Sequence, residues 1–506
     1  MRIAKTKNAV RNMFFGTVQR LITILMPFLT RTVMLYTLGA EYLGLNSLFT
    51  SILQVLNLAE LGVGSAMIFS MYKPIAEDDR ETICALLRLY RRYYRIIGML
   101  VLIMGIFILP FLPVVIKKDL PPEINVYVLY LIHLSSTVLS YWLFSYKSSL
   151  LYAHQRNDIV FKISTFVVCF QEILQLVVLF ALKSYYLYLV LLIFSQVCQN
   201  IILAFIVKKM FPDYMPKGSL PKSRIKEIGQ KIRALFGIKL GSTIVGAVDS
   251  IAISAFLGLT VLAIYNNYYY IMSSVSAFIY MFFTSCTAGI GNSLYTNSVE
   301  KNYEDFNVLT FLVSWISGVC LSCFFVLYQP FMYIWVGEKL MFDQTIVMMF
   351  CAYFYLYVIY GCVSTYKDAA GIWHEDRFRP IITAAINLML DLIFVQKYGV
   401  HAILLSTILC YLLLNIPWLI YNLFHYLFRR SIREFVFKLF VFTFASIIAC
   451  TFVAFLSNLV FTQGILGFIY KGVISVIVPN ILFVLLYYRT VEFKRCKEMV
   501  KRIVMR

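Results

Sequence analysis

Arg20, Arg31 and Lys239 stand inside long apolar stretches of this chain, and so do Glu60, Glu172, Asp249 and Asp391. An ionised side chain at the centre of an apolar helix costs about 2.5–3.5 kcal/mol to insert into a bilayer. Each such residue therefore demands water, a partner or a ligand. Arg20 and Arg31 are spaced to share one helix face, about 16 Å apart along the axis, and Pro27 between them predicts a kink. Lys239 falls at a depth similar to Arg20 in a later hairpin. Fixed cations around a shared cavity suit a diphosphate, which Arg grips bidentately and Lys meets as a point charge. The competing reading pairs each cation with a local carboxylate or lets it snorkel to the interface.

The acids Glu60, Asp249 and Asp391 are candidates for ion coupling. If the first two apolar segments turn near Ala40, Arg20 and Glu60 lie level, either as a structural salt bridge or as a gate that responds to protons or cations. Glu172, with Gln171 and Gln175, makes a polar face suited to bonding between helices. The run Tyr265-Asn266-Asn267-Tyr268-Tyr269-Tyr270 reads as an interfacial aromatic belt, with stacking on a sugar as the alternative. No catalytic set is present. The chain has no G-x-x-x-x-G-K-[ST] phosphate loop, and His133, His154, His374, His401 and His425 are dispersed. Cys320 and Cys323 sit in an apolar run as packing residues. No cofactor, zinc site or disulfide framework is expected.

These residues need helices of membrane length to hold them. Of 506 residues, 61% are hydrophobic and 14% charged, and the mean hydropathy is +0.80. Soluble domains carry about 25% charged residues, so a water-soluble enzyme is excluded, as is a disordered chain. Stretches of about 20 apolar residues fall at 13–37, 42–70, 96–116, 126–145, 159–182, 185–207 and 234–257. A second set falls at 261–283, 306–328, 345–363, 381–395, 400–421, 440–459 and 472–487. The fold class is all-α integral membrane, with about 14 transmembrane helices.

The formal net charge is +20, and its distribution sets an orientation. Alternate loops on one side carry most of the Lys and Arg. The other side has only Lys117, Lys118, Lys183, Lys339, Lys397 and Lys471. The positive-inside rule then puts both termini in the cytoplasm of a multi-pass plasma-membrane protein, and it accounts for the basicity without nucleic acid. The first apolar stretch contains Arg20 and Arg31 and lacks a small-x-small site, so it reads as a span rather than a signal peptide.

The expected organisation is a six-helix lobe at 1–208, a basic cytoplasmic linker at 209–233 and a second six-helix lobe at 234–431. Two further helices and a basic tail follow at 432–506. Faint echoes relate the lobes as a parallel pseudo-repeat around a central cavity. Phe15-Gly16 returns as Phe236-Gly237, Leu38-Gly39 as Leu257-Gly258, and Gly62-x-Gly64 as Gly289-x-Gly291. Parallel repeats with a site at their interface are a transporter design.

Two segments carry a family resemblance. One is Thr30-Arg31-Thr32 with Leu38-Gly39-Ala40-Glu41-Tyr42-Leu43-Gly44-Leu45 and Asn57-Leu58-Ala59-Glu60-Leu61-Gly62-Val63-Gly64. The other is Ala370-Gly371-Ile372-Trp373-His374-Glu375-Asp376-Arg377-Phe378-Arg379-Pro380, leading to Tyr398-Gly399-Val400. Together they resemble Wzx-type polysaccharide flippases of the multidrug/oligosaccharide-lipid/polysaccharide exporter (MOP) superfamily. That resemblance implies alternating access and a lipid-linked oligosaccharide cargo of the undecaprenyl-diphosphate type. Its implied partners are that cargo, membrane lipids and other polysaccharide-assembly proteins, and no nucleic acid. The alternatives are a cation-coupled drug exporter of the same superfamily and a membrane-embedded polymerase or glycosyltransferase. An acidic cavity would favour the exporter, and a large outer loop with catalytic residues would favour the enzyme; this chain has no such loop.

Overall fold

The computed structural model describes residues 5–60, 62–116, 118–459 and 464–504, and the side chains of 5–10, 234, 237–245, 288 and 499–504 lie outside that description. Among the described residues there is no strand. Hydrocarbon offers no partner to a backbone amide, and a helix satisfies all of them within one segment.

The helices are α1 (Lys5–Thr37), α2 (Ala40–Leu56), α3 (Val63–Ala76), α4 (Arg80–Ile108), α5 (Val126–Trp142), α6 (Asn157–Ala181), α7 (Tyr185–Met210) and α8 (Lys222–Leu257). They continue as α9 (Leu259–Thr296), α10 (Val299–Val336), α11 (Gln344–Ala369) and α12 (Arg379–Tyr398). The last are α13 (Val400–Phe428), α14 (Arg433–Asn458), α15 (Gly464–Tyr487) and α16 (Val491–Val504). Twelve spans among the described residues are long and apolar enough to cross a membrane. A thirteenth is α5 with Ser145–Ala153, bent by 44°. The expected span at 234–257 is continuous helix within α8, but the side chains at 237–245 are outside the description.

The expected linker is only partly a linker. Residues 222–233 belong to α8, so the basic segment and the span after it form one 36-residue helix. Pro221 sets the start, where its missing N–H costs nothing. The connection from 211 to 221 folds back on α4. Arg80 pairs with Asp213 at 3.1 Å, and Arg88 donates to the Gly218 carbonyl at 2.8 Å.

Contacts divide the chain into two compact units, Met1–Ala263 and Ile264–Arg506. In the first, α1 lies along α6 and α8 lies against α2. Polar bonds zip α1 to α6 and its approach. Arg11 pairs with Asp158 at 3.0 Å, Asn12 donates to the Gln155 carbonyl at 3.0 Å, and Gln19 donates to Ser164 Oγ at 2.9 Å. Higher up, Thr30 donates to Glu172. In the second unit α10 is central, packed by α11, α14 and α15. The last two spans are held there by Phe311, Ala445, Ala449, Phe483 and Tyr487, and by Trp315 Nε1 donating to Asn480 Oδ1 at 2.7 Å. The helix α13 is not uniform: Cys410–Asn415 and Leu423–Phe428 are π-helical.

One proposed echo has a backbone counterpart. Gly39, between α1 and α2, has φ 113° and ψ 173°, and Gly258, between α8 and α9, has φ 107° and ψ 171°. The third echo fails in conformation. Gly62 takes φ 88° and starts α3, whereas Gly289 and Gly291 lie inside unbroken α9. The first echo's Gly237 is outside the described side chains. The Gly39 and Gly258 conformation is essentially closed to residues with a Cβ. Gly39→Ala and Gly258→Ala should each cost about 1–3 kcal/mol, read as a lowered Tm of the purified protein. A melt matching the wild type would show that these turns relax without penalty.

Candidate functional site

Two of the predicted cations share α1 and the third lies on α8. Arg20 is exposed on α1 and forms no salt bridge among the described residues. Arg31, also on α1, is half-buried, and its charge acts on Tyr188 of α7, which Glu172 of α6 also influences. Lys239 lies on α8, with its side chain outside the described residues.

The expected salt bridge between Arg20 and Glu60 does not form. Regular helix stops at Leu56, and Asn57–Glu60 is a single tight turn ahead of Gly62, so residue 60 leaves the register that a simple hairpin implies. In addition, α1 lies along α6 instead of following α2. Glu60 faces α4: Tyr94 donates its hydroxyl to Glu60 Oε1 at 3.3 Å and receives one from Tyr90 at 2.7 Å. Asn57 in the same turn accepts from Tyr141 at 2.9 Å. The broken segment between α2 and α3 thus carries a carboxylate wrapped in tyrosines.

The polar face of α6 bonds along its own helix and across to α7, the second as its residue types predicted. Gln171 Nε2 donates to Gln175 Oε1 at 3.2 Å, and Gln175 donates to the Tyr188 carbonyl at 3.0 Å. Ser195 donates to Gln171 at 2.5 Å.

Asp249 is buried on α8 and Asp391 is buried on α12. Around Asp391 the sequence builds an oxygen-rich cluster. Ser406 of α13 donates to Asp391, and Asn387, one turn away, donates to Ser406 Oγ at 3.1 Å and Thr407 Oγ1 at 3.2 Å. Both donors of Asn387 are thus used, while its Oδ1 is buried and accepts nothing among the described residues. A carboxylate and neutral oxygens gathered in an apolar helix pair can hold a proton or a small cation. Among the described residues no three of His, Cys, Asp and Glu gather as a metal cage.

Two features escaped the sequence reading. The first is a tyrosine surface in the second unit. Tyr269 of α9 stacks near Tyr353 of α11 at 6.4 Å between centroids, and Tyr353 meets Tyr411 of α13 at 5.8 Å. Tyr357 and Tyr360 reach Tyr411 at 6.0 and 5.3 Å. Tyr269, Tyr357, Tyr360 and Tyr411 are half-buried, whereas Tyr353 among them is buried. Spacing of four and three residues puts Tyr353, Tyr357 and Tyr360 on one helix face, which was the available signal. The Tyr265–Tyr270 run is also corrected here. Tyr265 and Tyr268 are 3% and 0% exposed, so they are core and not a lipid-facing belt. Tyr268 is tolerated inside because its hydroxyl donates to Gln329 Oε1 at 2.9 Å.

The second feature is a buried charge lock in the Ala370–Pro380 segment. Asp376 accepts from Arg379 Nε at 2.6 Å and Nη2 at 2.9 Å, and from Lys367 Nζ at 3.2 Å. Arg379 also donates to Asn415 Oδ1 at 2.5 Å and lies 5.3 Å from the Tyr360 ring centroid. The π-helical segment of α13 supplies Asn415, so the lock joins α11, α12 and α13.

Comparison with known proteins agrees with this architecture. A family described as "Polysaccharide biosynthesis protein" matches residues 9–287. No curated protein matches by sequence. Among solved structures, an inward-facing multidrug resistance MATE family transporter of the MOP superfamily superposes with TM-score 0.62 at 13% identity, over 81% of this chain and 97% of that one. A MOP superfamily transporter from Pyrococcus furiosus, described by the reverse polarity of its binding pocket, gives 0.55 at 12% identity, over 84% and 97%. A Vibrio cholerae MATE transporter gives 0.51 at 13% identity, over 85% and 100%. The fold is that of MOP transporters, and the chain is a multi-pass membrane protein. By the match over its first 287 residues, this chain belongs to the polysaccharide biosynthesis protein family, as a Wzx-type member with the MOP fold.

Proposed function

We propose that the protein flips lipid-linked oligosaccharide units, of the undecaprenyl-diphosphate type, from the cytoplasmic to the outer leaflet of the plasma membrane. Both termini are cytoplasmic, and two lobes alternate access to a central cavity. Arg20, Arg31 and Lys239 meet the diphosphate, while Glu60, Asp249 and Asp391 respond to the coupling ion. The observation that carries this reading is the half-buried tyrosine surface of Tyr269, Tyr357, Tyr360 and Tyr411 in a chain of a polysaccharide biosynthesis family. Phenol rings offer an apolar face to a sugar ring and a hydroxyl to its polar edge. The fold of multidrug exporters favours a second reading, export of small organic cations. The intramembrane Arg and Lys residues argue against a cationic cargo.

The test is a reconstituted flipping assay with a fluorescent lipid-linked oligosaccharide. A charge-assisted hydrogen bond is worth about 1.5–3 kcal/mol, roughly 10- to 100-fold in rate. Arg31→Gln with Lys239→Gln should lose at least that much flipping and still insert in the membrane. Arg31→Lys should retain part of it. Wild-type flipping by the double variant would defeat the phosphate role, and transport of cationic dyes in place of the lipid would favour the exporter.

A further inference from the structure

Arg88, Arg92 and Arg95 of α4 are exposed, and their spacing places them on one helix face. The same face continues through Met99, Ile103 and Ile106, which are 48%, 57% and 50% exposed. Advancing about 100° per residue, all six stay within a single stripe, with three cations followed by three apolar side chains. Arg91, on the neighbouring ridge, joins the other three arginines in lining a pocket of about 540 Å³, closed on one side by the connection at 216–220. Among the described residues none of these four arginines pairs with a carboxylate. Lys147 and Lys208 add to the same positive field: Arg91 and Lys208 both act on Lys147.

Like charges one turn apart on a helix destabilise it, and a pocket that gathers four of them favours an anion. The apolar continuation says which kind. A soluble phosphate would use only the arginines and leave Met99, Ile103 and Ile106 without a role. A phospholipid uses both, with its phosphate at the Arg95–Ile96 border, where α4 turns apolar, and an acyl chain along the stripe. Basic pockets at the cytoplasmic side of membrane helices have this chemistry, and the guanidinium fork suits a phosphodiester oxygen pair. We propose that α4 and the 216–220 connection form a binding site for an anionic phospholipid. Because the connection also rests on Arg88 through the Gly218 carbonyl, the bound headgroup contacts both α4 and the chain that leads into α8.

The experiment uses the full-length protein, delipidated in detergent and given phosphatidylglycerol or phosphatidylcholine, with retained lipid counted by native mass spectrometry. Wild type should retain phosphatidylglycerol in preference to phosphatidylcholine. Arg88→Gln with Arg92→Gln and Arg95→Gln should weaken that preference by about tenfold or more. Arg489→Gln with Lys494→Gln and Lys497→Gln, which removes as much charge from the tail, should leave it intact. Ile103→Ser with Ile106→Ser should weaken retention with every arginine in place. Inorganic phosphate should not displace the lipid. Unchanged retention in the arginine variant, equal loss in the tail variant, or displacement by inorganic phosphate would each overturn the proposal. If the triple variant does not survive gel filtration, Arg92→Gln alone decides, with the same expected direction. None of these arms contains an oligosaccharide, so their outcome is independent of the flippase reading.

Discussion

Asp376→Asn is expected to destabilise the second unit by about 3 kcal/mol or more. Asp376 is 4% exposed and faces two cations that are 2% and 4% exposed, Lys367 and Arg379. Removing its charge leaves both cations buried. Lys367 then depends on Asp368, at 2.6 Å but with its side chain 44% exposed. Arg379 then depends on Asn415 and Tyr360, which are neutral. Breaking one partner of a buried ion pair costs far more than removing the whole set, because the orphaned charge keeps its desolvation penalty. Lys367→Met with Asp376→Leu and Arg379→Met should therefore melt closer to wild type than Asp376→Asn alone. Thermal unfolding in detergent measures both. If Asp376→Asn melts like the wild type, water reaches the lock and the burial argument fails.

The second large effect is on coupling. Asp391→Asn should abolish the response of flipping to an imposed ion gradient while the protein still folds. A buried carboxylate in hydrocarbon carries a penalty of several kcal/mol unless a proton or cation neutralises it, so its loading changes which conformation is favoured. Asn keeps the shape and the bond from Ser406 but cannot be charged, so loading no longer biases either conformation. Proteoliposomes with proton and sodium gradients applied separately would identify the ion in the wild type. A gradient response that survives Asp391→Asn would move the coupling role to Asp249 or Glu60.

The membrane helices were legible because bilayer thickness dictates the length of an apolar run, and side-chain detail hardly matters to that count. The bonding role of Glu172, Gln171 and Gln175 was legible for a similar reason, since a polar stripe on an apolar helix has few places to go. The pairing of Arg20 with Glu60 was not. It required knowing that α2 ends in a tight turn at 57–60 and that α1 prefers α6, and both depend on packing remote in sequence. The tyrosines at 265–270 illustrate another limit. A tyrosine near a helix end suits a lipid interface or a core with a hydroxyl partner, and Gln329, far along the chain, decides between them. The charge lock shows the reverse case: the Ala370–Pro380 segment stood out in the sequence through its resemblance to Wzx-type proteins, while its physical content, an aspartate clamped by two cations, depends on Lys367 and on packing that the segment alone does not display.

The π-helical turns of α13 bear on how this chain is aligned with its relatives. A π turn closes its hydrogen bond over one residue more than an α turn does, so Cys410–Asn415 and Leu423–Phe428 are natural footprints of single-residue insertions within a helix. A gap of one position then belongs inside the span, where alignment procedures usually resist placing it. Without that gap, every position beyond 410 is compared with a neighbour about 100° around the helix, and Asn415, which reaches Arg379 across the bulge, is matched to a residue facing elsewhere.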